Sequence, residues 1–192
     1  MGLLDILRGE RRPKRANLDN LFALTTAEPT IRTALDMVPL ERAGVCFKPV
    51  TMGAFDELLS DLEQILSLPD ADGQAIERTV DDTFGFRWIV LRGADLSDLV
   101  TRAHLVNQTL EERGFSEQLL CSVFGIHPES GGRPAYLVYL YKRGTFYPFV
   151  PTGDHQRDNV AELRLKATLG GEMPMEPELE RWYPLWDVPV GG

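Results

Sequence analysis

The sequence predicts an α+β domain whose sheet is mainly antiparallel. Residues 55–66 and 95–113 place apolar side chains at helical spacing, and residues 75–92 alternate apolar and polar side chains around a turn. From residue 55 onward, the predicted order is helix, hairpin, helix, strand, strand, helix. Because these elements do not alternate regularly between strand and helix, we expect an antiparallel sheet with helices packed on it.

Two short helices and a strand are predicted before residue 55. The first helix has about eight residues, too few to be stable alone in water. Its apolar arc contains Leu3, Leu4, Ile6 and Leu7. Apolar residues between 18 and 24 indicate a second helix, with Asn17 as a candidate cap. Residues 43–50 are typical of a strand, in which Pro49 belongs at an end or an edge.

The two longest helices have recognisable ends. Residues 69–74 (PDADGQ) form a loop after the 55–66 helix. Asp95 is placed to cap the 95–113 helix, and Gly114 is placed to end it. We expect the apolar stripe of this helix to be buried; it consists of Leu96, Leu99, Val100, Ala103 and Leu110.

The second half of the chain contains two almost continuously apolar segments, 118–126 and 134–142. Such strands are expected inside a sheet that is covered on both faces. A last helix is predicted at 154–169, capped by Asp154 or Asp158.

The chain divides into three predicted parts. Residues 1–16 form an amphipathic, basic segment, and residues 17–171 form the α+β domain. Residues 172–192 are rich in proline and contain Trp182, Tyr183 and Trp186. We expect them to lie as an extended strap over the surface, because a free tail would expose these rings to water.

Charge and composition exclude several classes of function. The chain of 192 residues has a net charge of −9, although residues 1–15 carry five Lys/Arg against two acidic residues. An acidic body repels phosphate backbones, so nucleic acid is not an expected partner. The N-terminus has its apolar part before its basic part, the reverse of a secretory signal. A cytoplasmic protein is therefore expected, either free or peripheral at the inner face of the membrane.

No catalytic or metal-binding pattern is evident, and no cofactor is expected. The three histidines lack metal-ligand spacing, and His104 is expected to be structural. Asp81 and Asp82 are typical of a hairpin turn. Cys46 and Cys121 lie in apolar strands, which favours small buried side chains over a disulfide or a metal pair.

The segment LVYLYKRGTFYPFVPTG, residues 137–153, has five aromatic residues and one Lys-Arg pair. Residues 137–141 fit a core strand. The remainder allows two interpretations: an aromatic partner-binding edge, or internal packing against the Trp-rich tail. The candidate binding residues are Lys142, Arg143, Thr145, Phe146, Tyr147 and Pro148.

The chain resembles the bacterial PspA-associated family PspAB almost from end to end. The matching segments include MGLLDILRG, VCFKPV, HLVNQTLEERGF, LVYLYKRGTFYPFVPTG and EPELERWYPLW. The resemblance implies an accessory role beside phage shock protein A, a peripheral membrane protein that guards the bacterial envelope under stress. It brings no catalytic residues.

A weaker likeness, at the level of fold, is to YbjN-like proteins and type III secretion chaperones, which bind other proteins and often dimerise. The leading hypothesis is a non-enzymatic adaptor that binds phage shock protein A or a related membrane stress component. A second is weak anionic-membrane contact through residues 1–15, with Leu3, Leu4, Ile6 and Leu7 in the interface. A third is a ligand sensor or enzyme whose site only the folded chain brings together.

Overall fold

A computed structural model describes residues 18–49, 52–66 and 75–191. Its centre is a six-stranded sheet in the order β2-β3-β1-β4-β5-β6, in which all neighbours are antiparallel. The predicted α+β class is confirmed. The segment 1–16, the cap Asn17 and the loop 69–74 lie outside the described residues.

The strands are β1 Met37–Phe47, β2 Ile76–Asp81, β3 Arg87–Arg92, β4 Leu119–Pro128, β5 Ala135–Leu140 and β6 Thr145–Phe149, followed by a small hairpin of β7 Pro151–Gly153 and β8 Gln156–Arg157. The helices are α1 Ala23–Thr33, α2 Met52–Leu66, α3 Leu96–Glu112 and α4 Asn159–Leu169. Short 3-10 turns lie at Asp19–Phe22 and Leu179–Arg181.

Successive side chains along each strand point to opposite faces of the sheet, and both faces are buried. On β1, Val45 and Phe47 point to one face and Cys46 to the other; on β3, Ile89 and Trp88 divide in the same way. All four helices pack on the first face, which we call the helical face. Residues 172–191, which we call the strap, cover the opposite face, which we call the strap face. The strap contributes Trp182 and Val190 to the core on this side. The strand residues in the same cluster are Cys46, Trp88, Val90, Cys121, Val123, Tyr136, Val138, Tyr147 and Phe149.

Helix α3 forms as the sequence predicts. The Asp95 side chain accepts a hydrogen bond from the Asp98 amide at 2.8 Å and caps the helix. The five residues of its predicted stripe are buried. Gly114 follows the helix with a φ of 83°, a conformation that glycine adopts without steric cost. Packing of this stripe fixes α3 against the helical face of the sheet.

Strand β1 begins earlier than predicted, at Met37 instead of residue 43, and includes Pro39. Residues 37–39 pair with β4, whereas β3 pairs only with residues 42–47. The missing N–H of Pro39 is therefore tolerated where the strand has a partner on one side only. Pro49 lies beyond the end of the strand.

The segment after β5 differs most from expectation. Pro148 has no backbone N–H to donate, yet it lies in β6, opposite Leu137 of β5. In an antiparallel strand, backbone groups alternate in direction, and the N–H and C=O of Phe146 both bond to the strap. Pro148 has the same orientation, so its missing N–H does not face β5.

The last helix begins at Asn159, later than predicted. Asp158 is its cap and accepts hydrogen bonds from the amides of Val160 and Ala161. Asp154 instead lies in the β7–β8 turn with a φ of 49°. The small hairpin therefore occupies the first part of the predicted helix.

Replacing Asp95 by Ala should lower the free energy of unfolding by about 1 kcal/mol, because the Asp98 amide loses its acceptor. Urea denaturation measures the change. Asp95→Ser, which keeps a capping oxygen, is the control and should lose only a few tenths of a kcal/mol. Equal losses in both variants would contradict the capping role.

Candidate binding pocket under the strap

The strap is attached to the edge of the sheet by the carboxylate of Glu176, which is 0% exposed. Its oxygens accept hydrogen bonds from Arg143 Nε and an Arg143 terminal nitrogen, both at 2.9 Å, and from Thr145 Oγ1 at 2.7 Å. The backbone contributes as well: Phe146 N–H donates to the Pro174 carbonyl at 2.8 Å, and Glu176 N–H donates to the Phe146 carbonyl at 2.7 Å. Edge strand β6 is therefore paired locally with the strap.

Glu176 is ionised at neutral pH. Burial alone would raise the pKa of this carboxyl group, but hydrogen bonds from Arg143, Thr145 and the Glu178 amide outweigh burial and lower its pKa to about 2. A buried charge is tolerated only when it is paired and hydrogen-bonded, and here each of these conditions is met.

Aromatic rings hold the next part of the strap. Trp182 stacks on Tyr147 with 6.2 Å between ring centroids, and the Tyr147 hydroxyl donates to the Tyr183 carbonyl at 2.8 Å. Trp186 meets Phe149 edge-on at 5.3 Å. These rings keep the strap over the strap face but do not fill all the space beneath it.

A cavity of about 460 Å³ remains between the strap and the sheet, and we call it the strap pocket. Its volume lies within the range of roughly 300–1,000 Å³ that is usual for small-molecule sites. The pocket lies at the end of the sheet where β3 and β4 begin and β5 ends. The sheet wall consists of Cys46, Trp88, Leu119, Leu120, Cys121, Leu140 and Tyr147, and the strap wall of Tyr183, Pro184, Leu185, Trp186 and Val188.

Charged groups lie at two opposite edges of the pocket. Three basic residues lie on the β6 side of the pocket: Lys142 and Arg143 of the β5–β6 turn and Arg181 of the strap. Asp82 of the β2–β3 turn and Asp187 of the strap lie on the other side. Because β2 and β6 are the two outer strands of the sheet, the pocket is basic towards one edge and acidic towards the other.

Two aromatic side chains at the rim are exposed to solvent, Phe84 by 61% and Tyr183 by 56%. Phe84 is part of the β2–β3 turn, where Asp82 accepts hydrogen bonds from the Phe84 and Phe86 amides at 2.9 Å. The same carboxylate accepts from Trp88 Nε1 at 2.9 Å. The predicted turn role of Asp82 is confirmed, and Asp81 pairs with Arg87 at 2.6 Å.

Cys46 and Cys121 face each other on β1 and β4 in the wall of the pocket. Both are free and buried, as predicted. The hydrogen bond with Cys121 and burial raise the pKa of the Cys46 thiol well above its ordinary value. A thiol that stays protonated is a weak nucleophile, so Cys46 contributes to the pocket as an apolar wall residue. Across the part of the chain that the structure describes, no three His, Cys, Asp or Glu side chains could hold a metal ion.

The histidines and the buried polar groups do not converge on the pocket. His104 packs against Phe22 at 4.9 Å, and His155 packs against Trp186 at 5.3 Å. On the helical face, Asn107 hydrogen-bonds to Ser122 and to Tyr141, and all three are buried in the core. This polar cluster is structural, because the core encloses it.

The structure places the six predicted partner-binding residues in three kinds of environment. Lys142, Arg143 and Tyr147 line the strap pocket, and Thr145 holds Glu176. Phe146 and Pro148 are buried, as is the ring of Tyr147. The aromatic rings of β6 do not emerge at the surface. Phe146 packs into the core on the helical face, whereas Tyr147 and Phe149 contact Trp182 and Trp186 of the strap. For Tyr147 and Phe149, the structure therefore supports packing against the Trp-rich tail.

Partner binding by the six residues stays a prediction. The proposed membrane-contact residues, Leu3, Leu4, Ile6 and Leu7, lie outside the described residues. Sequence reasoning did not single out Phe84 or Tyr183 as exposed rim residues. The signal available for Phe84 was an aromatic residue inside a predicted turn, where burial is not required.

The family model for PspAB, PspA associated protein B, matches residues 1–190. The chain belongs to the PspAB family. Among curated proteins and solved structures, none matches it. Within the described ranges, no helix combines the length and apolar content needed to cross a bilayer. The family description indicates association with PspA and hence an accessory role in the phage-shock response.

Replacing Glu176 by Gln should lower the free energy of unfolding by about 2 kcal/mol at pH 7, after allowance for solvent screening of Arg143. The pKa of Glu176 rises from about 2 in the folded chain to near 4.5 when unfolded, so its stabilisation is complete above about pH 4.5. That stabilisation is lost as pH falls through about 2. The difference between wild type and variant should therefore shrink over this window.

Urea denaturation at a series of pH values measures this difference. Glu180→Gln, a change at an exposed strap carboxylate, is the matched control and should leave both the stability and its pH dependence unchanged. A wild-type and Glu176→Gln difference that stays constant from pH 5 to pH 2 would contradict the assigned role.

Replacing Tyr147 by Phe should cost about 1 kcal/mol of unfolding free energy, because the hydrogen bond to the Tyr183 carbonyl is lost. Thermal or urea unfolding measures the loss. Tyr183→Phe removes a hydroxyl from an exposed ring and should change stability by no more than about 0.5 kcal/mol. If the two variants lose the same stability, Tyr147 does not hold the strap through its hydroxyl.

Proposed function

We propose that this chain is a non-enzymatic accessory protein of the phage-shock response that holds PspA, or a related membrane stress component, at the rim of the strap pocket. The observation that carries this proposal is the exposure of Phe84 and Tyr183 beside an apolar cavity. Aromatic residues around an apolar pocket are a common feature of protein-binding hot spots.

The rim offers a partner both apolar contact and charge. Leu120, Leu140 and Leu185 are half-buried in the pocket wall, so a partner side chain that enters would cover them further. The basic and acidic edges would fix the orientation of the partner by charge complementarity. The partner segment would therefore present one or two apolar side chains with charged residues on either side.

The chemistry of the lining supports binding over catalysis. Asp82 already accepts three hydrogen bonds, and Arg143 is paired with Glu176 and Glu178. The raised pKa of Cys46 disfavours its thiolate. These groups serve the fold, which leaves the apolar surface as the functional part of the pocket.

Capture of purified PspA tests the proposal. The double variant Phe84→Ala/Tyr183→Ala should weaken binding by at least about tenfold, because hot-spot aromatics each contribute roughly 2 kcal/mol or more. The matched control is Val160→Ala/Leu163→Ala, which removes two exposed apolar side chains from α4, outside the pocket. Variants of Phe146 are unsuitable, because its ring is part of the core.

Circular dichroism and unfolding curves establish that both double variants are folded. Equal capture of PspA by the rim variant, the control and wild type would reject the rim as the docking site. If the chain associates with itself through the same rim, sedimentation will show a dimer that the rim variant abolishes. In that case the rim binds a second copy of this chain and not PspA.

A further inference from the structure

The interior of the strap pocket has a different character from its rim. We propose that the interior binds a single-chain amphiphile with an anionic head group, of the chemical class of fatty acids and alkyl phosphates. The inference stands on the pocket alone and holds whether or not PspA docks at the rim.

The shape of the pocket favours a linear chain. The sheet closes it on one side and the strap on the other, and a helix with its side chains is about 10–12 Å wide. Beside the pocket, Trp182 and Trp186 of the strap lie 6.2 and 5.3 Å from rings of the sheet, closer than the width of a helix. A flexible hydrocarbon chain is narrow enough to enter with the strap in place.

The lining of the pocket favours hydrocarbon. Its interior polar groups already have partners: the Tyr147 hydroxyl bonds to the strap, and Asp82 bonds to Trp88 and the turn amides. Among the described residues, none of the buried side-chain polar atoms that lack a partner belongs to a lining residue. A polar ligand would lose its hydration in this interior and gain no hydrogen bond, whereas a hydrocarbon chain loses nothing.

The basic edge of the pocket supplies a site for the head group. Lys142 is exposed, and its Nζ donates to the Glu117 carbonyl at 3.2 Å; among the described residues, no carboxylate pairs with it. Arg143 pairs with Glu176 and Glu178, and Arg181 pairs with Glu178, so two carboxylates offset the two guanidinium groups and Lys142 supplies the excess positive charge at this edge. An anion at this edge gains charge-assisted hydrogen bonds. Asp82 and Asp187 disfavour the opposite orientation.

Displacement of cis-parinaric acid, a fluorescent fatty acid, from the full chain tests the inference. Dodecanoate and dodecyl phosphate, used below their micelle concentrations, should displace it in a saturable manner at one site per chain. Comparing the two identifies the preferred head group. Dodecanol and dodecyltrimethylammonium should bind at least about fivefold more weakly, because they lack the anionic charge. Equal binding of all four compounds, or no saturable binding, would overturn the proposal.

Two variants localise the site. Leu140→Trp fills the pocket and should weaken dodecanoate binding by at least about tenfold, because the larger ring occupies the space that the alkyl chain needs. Leu163→Trp on α4 is the matched control, outside the pocket, and should bind as wild type does. Equal affinities in the two variants would overturn the assignment to this pocket.

Lys142→Glu tests the head-group site without changing the core. It should weaken dodecanoate binding about fivefold and leave dodecanol binding unchanged. Arg133→Glu makes the same charge change in the β4–β5 loop, at the far end of β5, and should have no effect. If Lys142→Glu and Arg133→Glu bind dodecanoate equally, the anion does not lie at the basic edge, and the proposal fails.

These measurements contain no PspA, so their outcome is separate from that of the proposed function. A chain that binds dodecanoate and fails to capture PspA keeps this inference and loses the docking proposal. A chain that captures PspA and shows no saturable amphiphile binding keeps the docking proposal and loses this inference.

Discussion

The strap face depends on the ion pair between Glu176 and the partly exposed Arg143. Glu176 is fully buried, and Arg143 holds it with two hydrogen bonds while Thr145 adds a third. This pair fixes the strap where it meets β6, and the backbone bonds at Phe146 continue the sheet by one short pairing. Without them, β6 would present an open edge, and such edges favour unwanted pairing with other chains. The same contact thus protects the sheet and positions Trp182, Trp186 and the pocket between strap and sheet.

The difference between the two faces of the sheet explains why the pocket lies on the strap face. Four helices cover the helical face, and their buried apolar side chains fill the core around Phe124 and Leu137. A single extended segment covers the strap face, where it contributes a few large rings and several prolines. Large, widely spaced rings hold the segment down yet leave space between them. An apolar space of this kind, with exposed aromatics at its rim, suits binding better than bond-making chemistry.

Much of the fold could be predicted from local signals. Helix α3 follows from its apolar stripe and the Asp95 cap, and the β2–β3 hairpin follows from alternation around Asp82. Strand β6 could not be predicted in the same way, because Pro148 is compatible with pairing only when its nitrogen faces away from β5. That depends on the position of the strand at the edge of the sheet. The pocket could not be predicted from the sequence for a similar reason. Phe84 and Tyr183 are 99 residues apart, and both line the same cavity only because the strap returns across the sheet.

Amide hydrogen exchange, resolved by residue, tests the central claim most directly, because it reports whether the strap is held on the sheet edge in solution. The amides of Phe146 and Glu176 should exchange as slowly as those of the central strands β1 and β4, since both are bonded between β6 and the strap. Exchange of these two amides at the rate of freely exposed backbone, with β1 and β4 still protected, would show that the strap does not close over the sheet and that the pocket does not exist.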